Sequence, residues 1–133
     1  AQFSPSGGKS PGICRLANRE FPELLVGLLN AATGWDYTQE EAKAFGLRTI
    51  NLLRAFNFRH GYSPDMEKPS PRYGSIPVDG PHKDRNVAPV WEEMRDVYYR
   101  ELGWDRVTGK PLPETLTKLG LETVFSELWP VTK

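Results

Sequence analysis

Residues 38–58, TQEEAKAFGLRTINLLRAFNF, are the stretch that decides the fold. Thr38 and Glu41 have the spacing of a capping box, in which the threonine hydroxyl accepts from the third helical amide and the glutamate accepts from the amide of the cap. A helix is therefore predicted to begin after Thr38. A broad, mostly apolar stripe follows as far as Phe58, at Ala42, Phe45, Thr49, Ile50, Leu52, Leu53 and Phe56. Its width predicts burial on more than one side, so we expect the central helix of the domain here.

Four further helices are predicted around this central one. The first covers residues 21–33, where leucines recur at helical spacing and Pro22 suits a first turn. Residues 90–102 form the next helix, and two short ones follow at 113–119 and 122–129. No segment has a convincing strand pattern. The predicted fold class is therefore all-α, an irregular domain of about five helices.

Three glycines are predicted to end helices in the left-handed conformation, namely Gly34, Gly103 and Gly120. The first two are each followed by Trp-Asp. We expect Asp36 and Asp105 to accept hydrogen bonds from nearby turn amides, because neither has a third partner that would prepare it for acid–base catalysis.

Two segments are predicted to lack long helices and strands. Residues 1–12 are rich in Gly, Pro and Ser and read as an extended or disordered lead-in, which assigns the helical domain to residues 13–133. From Gly61 to about Arg85 the chain contains five prolines, a density that excludes helix and any central strand. So long a loop is usually functional or lies along a partner surface.

Composition and charge exclude several classes of protein. The chain has 133 residues, which suit one domain, and its 38% apolar and 26% charged residues are typical of soluble globular proteins. Lys+Arg and Asp+Glu both number 17, so a nucleic-acid partner is not expected. No apolar run approaches the roughly 20 residues of a membrane span, and no signal-peptide layout is present. We expect a cytoplasmic protein.

Cys14 is the single cysteine, so it forms no internal disulfide and holds no iron–sulfur cluster alone, which needs about four thiolates. From the residues alone, a free thiol that packs as a small hydrophobe is favoured over a metal ligand. His60 and His82 lie near the ends of the long loop with no carboxylate or nucleophile motif beside them, and we assign them no role. The larger aromatic residues are predicted to form the core: Phe45, Phe56, Trp91, Tyr98, Trp104, Phe125 and Trp129.

Several stretches follow one another in the order and spacing of a known family. They are LNAATGWDYT at 29–38, NLLRAFNFRHG at 51–61, GP at 80–81, YYRELGWD at 98–105, TG at 108–109 and LGL at 119–121. Over nearly everything after residue 11, the chain resembles the third domain of the aldehyde ferredoxin oxidoreductase family. That resemblance implies a helical domain in a three-domain enzyme with a tungsten bis-pterin and a 4Fe-4S cluster.

The resemblance also implies an activity. The intact protein would oxidise aldehydes to carboxylic acids and pass the electrons to ferredoxin, and this chain would be a fragment or subunit that needs the remaining domains. We expect the isolated chain to hold no cofactor and to be inactive. Arg54, Arg59 and Arg72 could bind pterin phosphates, although ion pairs with the chain's own acids are the favoured interpretation.

The family's cluster motif, Asp-x-x-Gly-Leu-Cys, resembles KSPGIC at residues 9–14. The resemblance makes Cys14 the fourth ligand of the 4Fe-4S cluster and places Gly12 and Ile13 beside the pterin. Lys9 departs from the pattern, since an ammonium group donates hydrogen bonds and cannot accept them as a carboxylate does. The other three cysteines lie, in the family, in a Cys-x-x-Cys-x-x-x-Cys run of the preceding domain.

Two other interpretations remain open. The chain could be a non-catalytic helical interaction module that binds a partner through its Pro-rich loop and does not use Cys14. It could also be the same domain of a relative that reduces aromatic acyl-CoA thioesters, or of an enzyme with molybdenum in place of tungsten. A helix-turn-helix DNA-binding function is disfavoured by the zero net charge.

Overall fold

The computed structural model describes residues 22–130, apart from the side chains of Pro22, Glu23 and Tyr73. Its helices are α1 (Pro22–Thr33), α2 (Gln39–Arg59), α3 (Pro71–Gly74), α4 (Trp91–Leu102), α5 (Pro113–Lys118) and α6 (Phe125–Leu128). Short 3-10 turns precede α3, α4 and α6, at Pro64–Met66, Ala88–Val90 and Glu122–Val124. Over residues 22–130 the β pairing is a single bridge between Trp104 and Pro111, which confirms the all-α class. The predicted lead-in, residues 1–12, lies outside the described residues.

The turn between α1 and α2 is fixed by one side chain. Gly34 ends α1 at φ 75°, and its amide donates to the Asn30 carbonyl at 2.8 Å. The Asn30 side chain accepts from the Tyr37 amide at 3.0 Å and donates to the Tyr37 carbonyl at 2.9 Å. This pair of bonds sets the position from which α2 begins.

The predicted capping box opens α2. The Thr38 hydroxyl accepts from the Glu41 amide at 3.2 Å, and the Glu41 carboxylate accepts from the Thr38 amide at 2.8 Å. The hydrogen bond from that amide holds the pKa of Glu41 below its usual value. The helix that follows is the longest among residues 22–130 and contributes to both apolar clusters, so its prediction as the central helix is confirmed.

Replacing Thr38 by alanine is expected to lower the free energy of unfolding by about 1 kcal/mol, because one helix amide loses its acceptor. Urea unfolding followed by circular dichroism measures this difference. The matched control is Thr117→Ala on the exposed side of α5, which should change stability by less than about 0.5 kcal/mol. Equal effects of the two substitutions would contradict a capping role.

The core consists of two apolar clusters on one side of α2. One contains Ala55, Leu116, Leu121 and Leu128, and the other Ile50, Tyr99 and Trp104. The Trp104 indole donates to the buried Asn51 side chain at 2.9 Å, so this polar group is satisfied inside the core. Arg48 donates to the Gly120 carbonyl at 2.7 Å, which joins the end of α5 to α2.

Most of the predicted helix ends are confirmed. Gly103 and Gly120 both have positive φ, at 67° and 64°. The Asp105 carboxylate accepts from the Thr108 amide at 2.7 Å, as expected, whereas the hydrogen bonds within residues 22–130 include none to the Asp36 carboxylate.

The exclusion of helix from the Pro-rich loop was wrong in two places. Pro64–Met66 is a 3-10 turn and α3 is a single α-helical turn, and both begin at a proline. Proline is tolerated there because the first helical amides have no partner inside the helix. In the part of the chain that the structure describes, no helix is long and apolar enough to cross a bilayer.

Candidate functional site

The predicted cofactor residues Lys9, Gly12, Ile13 and Cys14 lie outside the described residues. Over residues 22–130, no three His, Cys, Asp or Glu side chains form a group that could hold a metal ion. A cluster or metal would therefore need ligands from other polypeptide segments. The described part can be assessed for what it builds around such a site.

The most elaborate polar arrangement in this part is a cluster around Arg54 of α2, which is only 7% exposed. Its guanidinium donates to the Glu67 carboxylate at 2.5 Å, to the Tyr62 hydroxyl at 3.0 Å and to the Tyr99 hydroxyl at 3.1 Å. Arg54 Nε donates to the Gly109 carbonyl at 2.9 Å. One side chain thus joins α2, the start of the Pro-rich loop, α4 and the turn after α4. We call these residues the Arg54 cluster.

The charges in the Arg54 cluster support one another. Burial alone would raise the pKa of Glu67, but hydrogen bonds from Tyr62, Tyr99 and Arg54, with the Arg54 charge, hold it below its ordinary value. Burial likewise works against the charge of Arg54, and Glu67 outweighs it and raises the pKa. Burial, with the bond to Glu67, raises the pKa of Tyr62 and of Tyr99 to about 12. The ion pair is therefore fully charged and both phenols are neutral near pH 7.

All three guanidinium nitrogens of Arg54 are occupied by the chain's own acceptors, and the ring of Trp104 lies 4.2 Å from its Cζ atom. Four of its five N–H groups donate within the chain and the side chain is buried, so the predicted structural ion pair is the interpretation that fits. Arg59 also pairs with a carboxylate of the chain, Glu127, at 3.7 Å. Arg72 is in no ion pair within residues 22–130.

Sequence reasoning found Arg54 and missed its partners. Glu67 and Tyr99 lie 13 and 45 residues away from it, and no local pattern connects such positions. A partial signal did exist: the loop that follows α2 contains four acidic residues, and Glu67 is one of them. A buried arginine on a central helix requires such an acid somewhere in the chain.

A groove of about 770 Å³ runs along α4 beside the Arg54 cluster. The surface that lines it is mostly apolar. The residues that line the groove include no nucleophile, and the base among them whose pKa is shifted is Glu67, which is already paired. The groove can therefore accept an apolar group, but it has no residues arranged for catalysis. The lining residues are Glu67, Lys68, Trp91, Glu93, Met94, Arg95, Val97, Tyr98 and Glu101.

The second apolar face of α2 is the other candidate surface. Ile50 and Arg54 face the core, and at 100° per residue Phe45, Leu52 and Phe56 point to the opposite side of the helix. With Leu53, these side chains are between 47% and 56% exposed. Phe45 and Phe56, with Tyr98, were predicted to lie in the core, and this was wrong for the described part of the chain. The pattern was two-sided as predicted, but residues 22–130 cover only one side.

The two histidines have no catalytic setting. His60 Nδ1 lies 2.8 Å from the Phe56 carbonyl, and its ring packs on the Phe56 ring with centroids 4.1 Å apart. His82 is an exposed loop residue. Neither contacts a carboxylate or a nucleophile in the described part.

Comparisons with known proteins were made for the whole chain. A family model described as "Aldehyde ferredoxin oxidoreductase, domains 2 & 3" matches residues 8–121. The tungsten-containing aldehyde ferredoxin oxidoreductase of Pyrococcus furiosus is 38% identical over 100 residues, which are 74% of this chain and 16% of that protein. The protein of the same name from Pyrococcus horikoshii is 37% identical over 97 residues, or 71% of this chain and 16% of the relative.

A third relative, the tungsten-containing aldehyde ferredoxin oxidoreductase of Thermococcus kodakarensis, is 34% identical over 96 residues, 71% of this chain and 15% of that protein. The chain therefore spans about 16% of the length of the first curated relatives that it matches.

Proposed function

Because this chain belongs to the aldehyde ferredoxin oxidoreductase family, we propose that it is the helical third domain of an enzyme that oxidises aldehydes to carboxylic acids. That enzyme would use ferredoxin as its electron acceptor. A tungsten bis-pterin would supply the two-electron chemistry, and a 4Fe-4S cluster would supply one-electron transfer. Cys14 would hold one iron of this cluster, and Gly12 and Ile13 would contact the pterin.

The family match carries this proposal. It extends over residues 8–121 and so includes the KSPGIC segment, and the resemblance of that segment to the family's cluster motif is the reason why Cys14 is proposed as a ligand. The uncovered face of α2 supports the same conclusion. A patch of Phe45, Leu52, Leu53 and Phe56 is large for the surface of a free monomer and is typical of a surface that another domain covers.

Within the proposed enzyme, residues 22–130 would support the cofactor-binding parts. The Arg54 cluster fixes the relative positions of α2, α4 and the Pro-rich loop, because each contributes a partner to one buried guanidinium. A lysine can only donate hydrogen bonds where the family motif has an acceptor, so the proposal assigns the pterin contact to Gly12 and Ile13 and not to Lys9.

Cys14→Ser in the complete oxidoreductase tests the proposal. A serine hydroxyl is a poor iron ligand compared with a thiolate, so the variant should lose the visible absorbance of the cluster and iron from the purified protein. Viologen-coupled oxidation of a simple aldehyde should be lost with it. Iron analysis, the visible spectrum and the rate are measured on the same preparation.

Ser10→Ala is the matched control, since it changes a position of the same motif that provides no ligand. It should keep cluster absorbance, iron content and activity. If Cys14→Ser keeps them as well, Cys14 is not a cluster ligand, and a non-catalytic interaction module becomes the better interpretation.

A further inference from the structure

The two ends of residues 68–90 lie close together and are joined by a hydrogen bond. The Trp91 indole Nε1 donates to the Glu67 backbone carbonyl at 2.9 Å, which closes the base of this segment. The Glu67 carboxylate is held in turn by Arg54 at 2.5 Å and by the Tyr99 hydroxyl. The segment is thus a large closed loop with a rigid base, and we call it the 68–90 loop.

The far end of the 68–90 loop has a defined backbone turn. The Asp84 amide donates to the Pro77 carbonyl at 3.0 Å, and the Lys83 amide donates to the Gly80 carbonyl at 3.2 Å. Asp84 has φ 63°, and it is the non-glycine residue with positive φ in the described part of the chain. Aspartate is among the few non-glycine residue types that adopt this conformation readily, and the two backbone hydrogen bonds define the turn.

The loop has a distinct surface chemistry. Val78 is 83% exposed and Ile76 58%, so two branched apolar side chains project at its far end. The loop contains four of the chain's 17 basic residues and two of its 17 acidic ones, in a chain with zero net charge. All four basic side chains are exposed, and none is in an ion pair within residues 22–130. They are Lys68, Arg72, Lys83 and Arg85.

We propose that the 68–90 loop is the docking surface for an acidic electron-carrier protein. This rests on the function proposed above, which requires such an acceptor. With four basic residues against two acidic ones, Asp79 and Asp84, the loop has an excess of positive charge together with two exposed apolar side chains. This is complementary to an acidic surface with an apolar centre, and charges of this kind raise association rates. Two apolar side chains give a small interface, as expected of a short-lived redox complex.

The test is the double substitution Lys83→Glu/Arg85→Glu in the complete oxidoreductase, with ferredoxin as the probe. At low salt, the KM for ferredoxin should rise about 5- to 10-fold with kcat unchanged, because the docking charges are reversed. The difference should shrink as ionic strength rises. Aldehyde oxidation with a viologen dye, which needs no docking surface, should keep its rate.

Lys43→Glu/Lys118→Glu is the matched control, since it makes the same change of charge at exposed positions outside the loop. An unchanged KM for ferredoxin in the loop variant, or an equal rise in both variants, overturns the proposal. Absence of viologen-coupled activity in the unsubstituted protein contradicts the proposed function instead, and calorimetric titration of ferredoxin into the same variants then decides docking separately.

Discussion

Replacing Arg54 by methionine is expected to lower the free energy of unfolding by about 3 kcal/mol, because the partly buried Glu67 carboxylate loses its cation. The Gly109 carbonyl and the Tyr62 and Tyr99 hydroxyls lose a donor in the same step. Methionine fills a similar volume, so the effect reports mainly on the unpaired polar groups. Urea unfolding at pH 7 measures it.

Two further measurements identify the cause of this loss. In the double variant Arg54→Met/Glu67→Gln no unpaired charge remains, so it should be more stable than Arg54→Met alone. Equal stability of these two variants would show that Glu67 is not the group left unpaired.

The pH dependence follows from the pKa of Glu67, which lies below its ordinary value of 4.5 in the folded chain. A group whose pKa is lower in the folded state than in the unfolded state stabilises the fold at pH values above its unfolded-state pKa. This contribution is lost as the pH falls through the folded-state pKa. In Arg54→Met, burial without a cation raises the pKa of Glu67, so the variant takes up a proton on folding. The difference in the free energy of unfolding between the unsubstituted chain and Arg54→Met should therefore become smaller from pH 7 to pH 4.

Gly109→Ala is expected to destabilise the chain by about 2–5 kcal/mol, of which about 1–2 kcal/mol is the cost of φ 66° for a residue with a Cβ atom. The added methyl group would overlap the Arg54 guanidinium and approach the Tyr99 hydroxyl to 2.9 Å. The Arg54 cluster would have to open to admit it. Thermal and urea unfolding both measure this loss.

Gly61→Ala is the control for the backbone part of this effect. Gly61 has φ 84°, and a Cβ atom there would meet nothing within 4 Å. Its loss should be only about 1–2 kcal/mol. If the two glycine variants lose the same stability, the Arg54 cluster tolerates the methyl group and is not tightly packed.

The local features of the fold could be predicted from the sequence because they depend on neighbouring residues. The Thr38–Glu41 capping box and the helix-ending Gly34 and Gly103 each need only a few adjacent positions. The apolar stripe of α2 predicted burial on more than one side, and residues 22–130 bury only one, because a pattern does not say which polypeptide covers each side. Phe45 and Phe56 were therefore assigned to a core that residues 22–130 do not provide.

The Arg54 cluster could not be predicted in the same way. Arg54, Glu67 and Tyr99 are in contact only because α2 and α4 bring distant segments together. No local sequence pattern predicts such a contact. The candidate cofactor residues came from resemblance alone. Cys14 is the single cysteine of the chain, so no spacing between cysteines could have identified it as a cluster ligand.

The hydrogen bond between Trp91 and the Glu67 carbonyl has a consequence for chain-length variation in this family. Since the two ends of the 68–90 loop are joined at its base, residues added or removed beyond that point need not move α4 or the Arg54 cluster. Doubling such a loop costs only about 0.6 kcal/mol in closure entropy. Insertions and deletions among homologues should therefore accumulate between residues 68 and 90, while the distance between positions 67 and 91 stays constant.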